Sequence, residues 1–248
     1  MKFQKTYAIR IYECTPGTTL NFSSLLNLMQ DVAAGHTVDL NITIPELFKR
    51  NLTWMLSRYH ISVDRYPSFM ENIIFKTWIA KHEGMFSIRD YTIETEKGEI
   101  LARMTSSWVL YDIKDKKIVN VGETLPMNEH IVHERAINDN FSSLKLPENP
   151  QYTLDLQIRK HDIDINKHVN NRITIEWALE AIPDEINRDY DLVDAEITFK
   201  GQAFYGDKIE SQCQLIDNEE QINGLHHIIN KNSGQSITRV HTRWRKTK

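Results

Sequence analysis

Residues 96–108 read Glu-Lys-Gly-Glu-Ile-Leu-Ala-Arg-Met-Thr-Ser-Ser-Trp, and residues 232–244 read Asn-Ser-Gly-Gln-Ser-Ile-Thr-Arg-Val-His-Thr-Arg-Trp. At this offset of 136 positions (232 − 96), a glycine, an arginine and a tryptophan coincide. A second block, residues 60–73, falls on residues 196–209 at the same offset. Glycine at a shared turn position and tryptophan at a shared strand position indicate a duplicated unit.

Each unit is predicted to begin with one helix. Apolar residues recur at helical spacing over 22–34 in the first unit and over 170–182 in the second. Segments that alternate apolar and polar residues follow each helix, which is typical of antiparallel strands. One helix followed by a run of strands indicates an α+β fold. The strands are predicted over 54–63, 73–79, 85–94 and 100–112, and over 195–199, 208–216, 225–229 and 237–244.

The duplication divides the chain into two predicted domains. The N-terminal domain comprises residues 1–128 and the C-terminal domain residues 152–248. Residues 129–151 between them contain prolines, asparagines and paired serines, which indicates a linker.

Composition and charge exclude several classes of protein. The net charge of −4 disfavours a nucleic-acid binder, whose domain is usually basic. No apolar run approaches the roughly 18–20 residues of a membrane span, and the N-terminus lacks the apolar core of a signal peptide, so we expect a cytoplasmic protein. Cys14 and Cys213 form no CxxC pair, and His130 and His133 lack a third ligand nearby. Neither a disulfide framework nor a metal site is therefore predicted.

The chemistry is concentrated in residues 161–171, His-Asp-Ile-Asp-Ile-Asn-Lys-His-Val-Asn-Asn. In an extended backbone Asp164, Asn166 and His168 would share one face. The helix over 170–182 follows at once, and its unpaired N–H groups and positive dipole end favour a developing oxyanion. Any one of these side chains alone is better explained by helix capping or solvation. The three together predict attack on a carbonyl.

With these motifs the chain resembles the acyl-acyl-carrier-protein thioesterases of plants and bacteria, from about residue 7 to residue 244. In the second half the resemblance rests on residues 164–171 together with Trp177 and Glu180. In the first half it rests on residues 28–31, 52–58, 63–67, 77–78 and 107–109. The resemblance implies tandem hotdog domains, each a curved antiparallel sheet around a central helix. It also implies hydrolysis of the thioester that joins a fatty acyl chain to the phosphopantetheine arm of acyl carrier protein.

The resemblance implies that Asp164, Asn166 and His168 are the catalytic carboxylate, amide and imidazole. One position departs from the family pattern, which usually has a glutamate, and in some members a cysteine beside it, shortly before a Gly-Asp pair. Counting back from that pair in this chain gives Gln202 and Ala203. A cysteine nucleophile is thereby excluded at this position, and an amide cannot accept a proton as a carboxylate does.

The predicted mechanism is attack on the thioester by a water molecule that His168 and Gln202 hold or activate. Asn166 and the helix N–H groups would meet the oxyanion, and Asp164 would orient Asn166 or His168. Since a thiolate is a good leaving group, no metal or cofactor is expected. At the 136 offset, Tyr66 stands where Gln202 does. The first domain is therefore predicted to be catalytically silent and, following the family, to hold the acyl chain.

Other functions stay open at this point. Hotdog hydratases and dehydratases carry Asp and His near a related loop, although with a wider gap before the His. An acyl-CoA thioesterase, or a non-enzymatic sensor of acyl thioesters, is a further alternative. The expected partner is an acidic acyl carrier protein, and a homodimer is left open. Cations that flank the motif could dock the carrier, although a solvated surface explains them equally well: Arg159, Lys160, Lys167, Arg172 and Lys200.

Overall fold

The computed structural model describes residues 1–125, 127–164, 167–218 and 221–247, and it divides into two compact units. The N-terminal unit spans Met1–Asn140 and the C-terminal unit Phe141–Lys248. The division falls inside the segment 129–151 that the sequence marks as a linker.

The N-terminal unit is an antiparallel sheet with one long helix packed against it. In chain order its elements are β1 (Phe3–Ala8), α1 (Phe22–Asp39), α2 (Ile44–Lys49), β2 (Leu52–Val63), β3 (Asn72–Glu83), β4 (Phe86–Thr95), β5 (Ile100–Asp112), β6 (Lys117–Val119) and α3 (Val121–Thr124). The strands lie in the order β1-β3-β4-β5-β2, and β6 pairs with β5. Leu25, Met29 and Val32 of α1 are fully buried, at the helical spacing that the sequence predicts.

The C-terminal unit repeats this arrangement on a shorter helix. Its elements are β7 (Tyr152–Gln157), α4 (Asn171–Glu180), α5 (Asp184–Asp189), β8 (Tyr190–Phe199), β9 (Lys208–Asn218), β10 (Gln221–Asn230) and β11 (Ser236–Lys246). The strands lie in the order β8-β11-β10-β9-β7, and α4 packs on β9, β10 and β11. Each unit thus has the sheet-and-helix architecture of a hotdog domain. None of the described helices is long and apolar enough to cross a membrane.

The sequence prediction missed the short strand β6. It also missed β1 and β7, each of which lies at one edge of its unit's sheet. They pair with β3 and β9 and leave most of their residues exposed. An edge strand with few buried positions shows little alternation of apolar and polar residues, and alternation is the signal from which strands are predicted. The helix α1 also runs to Asp39, five residues beyond its predicted end at 34.

The duplication is visible in turns and side chains alike. The glycines at the β4–β5 and β10–β11 turns have φ of +83° and +72°, a region that favours glycine. The indole of Trp108 donates to Ser106 Oγ at 2.8 Å. The indole of Trp244 donates to Thr242 Oγ1 at 2.9 Å. The equivalent residues of the two units, 136 positions apart, therefore make the same contact.

The first part of the predicted linker is bound to the N-terminal sheet as a strap, residues 131–140. The N–H of Val132 donates to the carbonyl of Ile79 at 2.9 Å. The indole of Trp78 donates to the carbonyl of Glu134 at 2.8 Å. This part of the linker is therefore held on the sheet, because the backbone of β3 and a buried indole supply hydrogen-bond partners for its backbone.

Asp90, which is fully buried in β4, anchors the strap. Its Oδ2 accepts from Arg135 Nε at 2.9 Å and from the N–H of Ala136 at 2.7 Å. Its Oδ1 accepts from Thr105 Oγ1 at 2.5 Å. A buried carboxylate is tolerated only where it is paired and hydrogen-bonded in this way.

Replacing Asp90 by alanine should lower the free energy of unfolding by about 3–5 kcal/mol, because Arg135 and a buried N–H lose their acceptor. Urea denaturation measures this loss. The control is Asp64→Ala, which removes an exposed ion pair with Arg103 and should change stability by no more than about 1 kcal/mol. Equal losses in the two variants would show that the strap is not held by Asp90.

Candidate active site

Two of the predicted catalytic residues, Asp164 and His168, lie on a tight turn just before α4. Ile163 and Val169 form an isolated antiparallel bridge that closes the turn. Inside it, the N–H of Asp164 donates to the carbonyl of His168 at 2.9 Å. The N–H of Lys167 donates to the carbonyl of Asp164 at 3.0 Å, and Lys167 has a left-handed φ of +65°. The chain reverses here, so the expectation of an extended backbone with alternating faces is wrong.

Asp164 and His168 are nevertheless brought together, because their backbones are hydrogen-bonded to each other across the turn. Asn166, the predicted catalytic amide, lies outside the described residues. The imidazole of His168 is half-buried and meets the ring of Phe204 edge-on, with 5.0 Å between the ring centroids. The aromatic contact limits the orientations of the imidazole.

A hydrogen bond ties the turn to the segment that carries Gln202. The N–H of Val169 donates to the carbonyl of Ala203 at 2.9 Å, and Ala203 is buried. Gln202, which precedes Ala203 in the chain, therefore lies beside the turn. Its side chain is exposed and makes no hydrogen bond with any described residue.

The start of α4 offers fewer free donors than the sequence suggests. Asn170 is the N-cap, and its Oδ1 accepts from the N–H of Arg172 at 2.9 Å. The carbonyl of Asn170 accepts from the N–H of Ile173 at 2.9 Å. Within the described part of the chain, the N–H groups of His168 and Asn171 are left without an acceptor. An oxyanion at the helix start would meet these two groups rather than the whole first turn.

The cysteines fit no nucleophilic role. Cys213 is fully buried in β9, and burial raises the pKa of its thiol to about 12. Since the thiolate is the nucleophile, this thiol is inert at neutral pH. Cys14 is half-buried, and its Sγ donates to the carbonyl of Arg10 at 3.3 Å. Among the described residues, no three His, Cys, Asp or Glu side chains are grouped as metal ligands would be.

Two of the cations that could dock an acidic partner are already paired. Arg159 lies 3.0 Å from the carboxylate of Asp162, and Arg172 pairs with Glu176 one turn along α4. The remaining three are exposed and form no ion pair with any described residue: Lys160, Lys167 and Lys200.

The N-terminal unit contains the same turn, over residues 14–20. Cys14 and Leu20 form the closing bridge, and the N–H of Thr15 donates to the carbonyl of Thr19 at 2.7 Å. Thr18 takes the left-handed conformation, with φ of +62°. The N–H of Leu20 donates to the carbonyl of Pro67 at 2.8 Å, as that of Val169 does to Ala203.

The sequence comparison at one offset missed this turn, because here the offset is 149 positions (163 − 14). The extra 13 positions (149 − 136) arise between the central helix and the first strand after it, where α1 has 18 residues and α4 has 10.

The two turns share a backbone but not their side chains. Thr15 and Thr19 stand at the places of Asp164 and His168, and their Oγ1 atoms lie 3.1 Å apart. Two threonines therefore suffice to build this turn. The carboxylate and the imidazole are not required for its shape, which makes a purely structural role for them a poor explanation.

Two family models match the chain and together span most of it. The model described as the acyl-ACP thioesterase N-terminal domain matches residues 1–126. The model described as the acyl-ACP thioesterase C-terminal domain matches residues 147–246.

Named relatives and solved structures agree with these models. A chloroplastic acyl-acyl-carrier-protein hydrolase of Cuphea viscosissima is 26% identical over 98% of this chain, and the chain spans 62% of that relative's length. The 12:0-ACP thioesterase of Umbellularia californica is 25% identical, with a TM-score of 0.88 over 99% of this chain and 98% of that one. A putative oleoyl thioesterase of Lactobacillus plantarum is 20% identical, with a TM-score of 0.88 over 100% and 97%. The predicted tandem hotdog fold is confirmed.

Proposed function

Since the chain belongs to the acyl-acyl-carrier-protein thioesterase family, we propose that it hydrolyses fatty acyl-acyl carrier protein to free fatty acid and so ends chain growth. One observation of the site supports this most. The turn before α4 carries a carboxylate and an imidazole, whereas the N-terminal unit builds the same turn from two threonines. Side chains that the fold does not need are the ones to which we assign the chemistry.

The proposed reaction is direct attack by water. Gln202 positions the water, and His168 takes a proton from it while the water oxygen bonds to the carbonyl carbon of the thioester. The oxyanion is met by Asn166 and by the N–H groups of His168 and Asn171, which have no acceptor among the described residues. Asp164 orients Asn166 or His168. The C–S bond then breaks, and the proton on the imidazole neutralises the leaving thiolate.

The two units are proposed to divide the work. The N-terminal unit lacks the catalytic side chains, with Tyr66 at the place of Gln202, and holds the acyl chain. Family membership disfavours the hydratase or dehydratase alternative. An acyl-CoA thioesterase would have the same chemistry, and turnover of the same acyl group on coenzyme A and on the carrier protein separates the two.

Replacing His168 by glutamine should lower kcat for the hydrolysis of fatty acyl-acyl carrier protein by about 10²-fold or more, because the proton acceptor is lost. Release of free fatty acid over time measures the rate. The matched control is Thr19→Ala, at the same position of the silent turn, which should leave the rate within about twofold of wild type. Near-wild-type hydrolysis by the glutamine variant would remove His168 from the mechanism.

Replacing Gln202 by alanine should lower kcat about tenfold, a smaller loss because an amide positions water but takes no proton. Gln202→Glu should retain at least the wild-type rate at pH 7, since the carboxylate it introduces can also act as a base. Gln221→Ala, a change of an exposed glutamine on β10, is the control. If the alanine variant of Gln202 keeps the full rate, this residue has no part in catalysis.

An acidic carrier protein is proposed to dock on the exposed lysines beside the turn. The double variant Lys160→Glu with Lys167→Glu should raise KM for the acyl carrier protein about tenfold at low salt, because it replaces attraction by repulsion. KM for an acyl-pantetheine of the same chain should not change. The pair Lys97→Glu with Lys114→Glu, exposed lysines of the N-terminal unit, serves as control. The same rise for both substrates would argue against docking at this surface.

Two further expectations stay predictions. The plant relative is chloroplastic. The cytoplasmic location that we expect from this sequence can be tested by determining where the protein lies in the cell. Homodimer formation can be tested by measuring the mass in solution by light scattering.

A further inference from the structure

Arg89 is a buried cation that the proposed reaction does not use. It lies on β4 with 7% of its surface exposed. Its Nη1 donates to Nδ1 of His36 on α1 at 2.7 Å and to Thr77 Oγ1 at 3.3 Å. No carboxylate of a described residue lies within 4.0 Å of the guanidinium. The neighbouring Asp90 is engaged by the strap and by Thr105 instead.

The charge of Arg89 is not balanced by its partners. Burial lowers the pKa of His36 to about 3, so this imidazole is neutral at pH 7 and accepts the hydrogen bond on Nδ1. Burial also lowers the pKa of Arg89, yet a guanidinium keeps its proton in proteins. Burying a charge without a paired counter-charge is unfavourable.

One edge of the guanidinium has no partner among the residues that the structure describes. Both hydrogen bonds use Nη1, and the Nε and Nη2 donors have no partner among the described residues. Neither atom is fully enclosed by protein. The Nε–Nη2 edge of an arginine is the geometry that binds both oxygens of a carboxylate.

Buried apolar and aromatic residues share the sheet face and the helix between which Arg89 lies. Tyr91 and Ile93 share the face of β4 on which Arg89 lies and are fully buried. The ring of Tyr91 meets that of Phe75 edge-on at 6.2 Å. On α1, Val32 lies one turn before His36 and is also fully buried. A cation among buried apolar and aromatic residues suits a ligand that joins a carboxylate to an aliphatic chain.

The equivalent position of the C-terminal unit carries no cation. On β3 and β4, Ile79 pairs with Arg89, and on β9 and β10 the equivalent pair is Leu215 with Gly224. A glycine therefore occupies the place of Arg89 in the other unit. The fold does not need an arginine here, just as it does not need the histidine of the catalytic turn.

We propose that the Nε–Nη2 edge of Arg89 binds a carboxylate carried on an aliphatic chain inside the N-terminal unit. Such a ligand has two sources, the fatty acid that the proposed hydrolysis releases and an acyl substrate with a carboxylate at its far end. The inference rests on the proposed function only for the identity of these two molecules.

Calorimetric titration with decanoate and with 1-decanol tests the binding. Wild type should bind decanoate at least about tenfold more tightly than the alcohol, and Arg89→Met should abolish this preference without weakening the alcohol. The control Arg103→Met removes an exposed arginine of β5 and should keep the preference. Equal binding of the two ligands by wild type, an equal loss of both in Arg89→Met, or no binding of either would overturn the proposal and leave only water at this edge.

Kinetics in the same variants separate the two sources. If the product is the ligand, decanoate should inhibit wild type and not Arg89→Met. If a substrate is the ligand, kcat/KM should fall about tenfold in Arg89→Met for an ω-carboxyacyl carrier protein and not for the unsubstituted acyl chain. If neither the inhibition by decanoate nor the fall in kcat/KM depends on Arg89, the proposal is also overturned.

Thermal unfolding shows whether Arg89→Met folds. If it does not, Arg89→Lys keeps the charge without the fork and should lose most of the preference for the carboxylate. Hydrolysis of an unsubstituted acyl-acyl carrier protein by wild type is measured as a separate experiment. Its absence counts against the proposed function, whereas the binding preference alone decides the role of Arg89.

Discussion

The structure depends on one hydrogen bond that occurs twice, between the residue that precedes each helix N-cap and the turn after the unit's first long strand. In the N-terminal unit Leu20 donates to Pro67, and in the C-terminal unit Val169 donates to Ala203. This bond fixes where each central helix begins relative to its own sheet. It also places the turn before the helix beside the segment of Gln202, so the candidate site is a consequence of how the hotdog unit closes.

That constraint separates the frame from the chemistry. The left-handed residue of the turn is Thr18 in one unit and Lys167 in the other, so the backbone geometry does not depend on the side chain. Functional side chains can then change while the turn persists. His168 beside Phe204 is one result. The pair of threonines in the silent turn is the other.

Much of this could be predicted from the sequence, and what could not has physical reasons. The repeat at 96–108 and 232–244 predicts paired hairpins, because turn glycines and buried tryptophans are strongly constrained by the fold. The edge strands bury too little to leave a pattern. The reversal at 163–169 hides behind alternating polar residues, since a turn closed by backbone hydrogen bonds carries no side-chain signature. The binding of the strap depends on Asp90, whose partners lie 45 and 46 positions away.

The interiors of the two units have diverged further than their frames. Tyr91 of β4 corresponds to His226 of β10, since each lies opposite an equivalent position, Thr77 or Cys213. Both are fully buried, and burial lowers the pKa of His226 to about 3. The neutral imidazole bonds Thr242 Oγ1 at 2.9 Å through Nε2, while its Nδ1 is buried with no hydrogen-bond partner among the described residues. Arg89 differs from His226 because its guanidinium keeps its charge, and its Nε–Nη2 edge has no partner among the described residues. The two units have therefore diverged at two places. Under α1, Arg89 has donors that lack a partner among the described residues, and before α4 the turn carries the imidazole of His168.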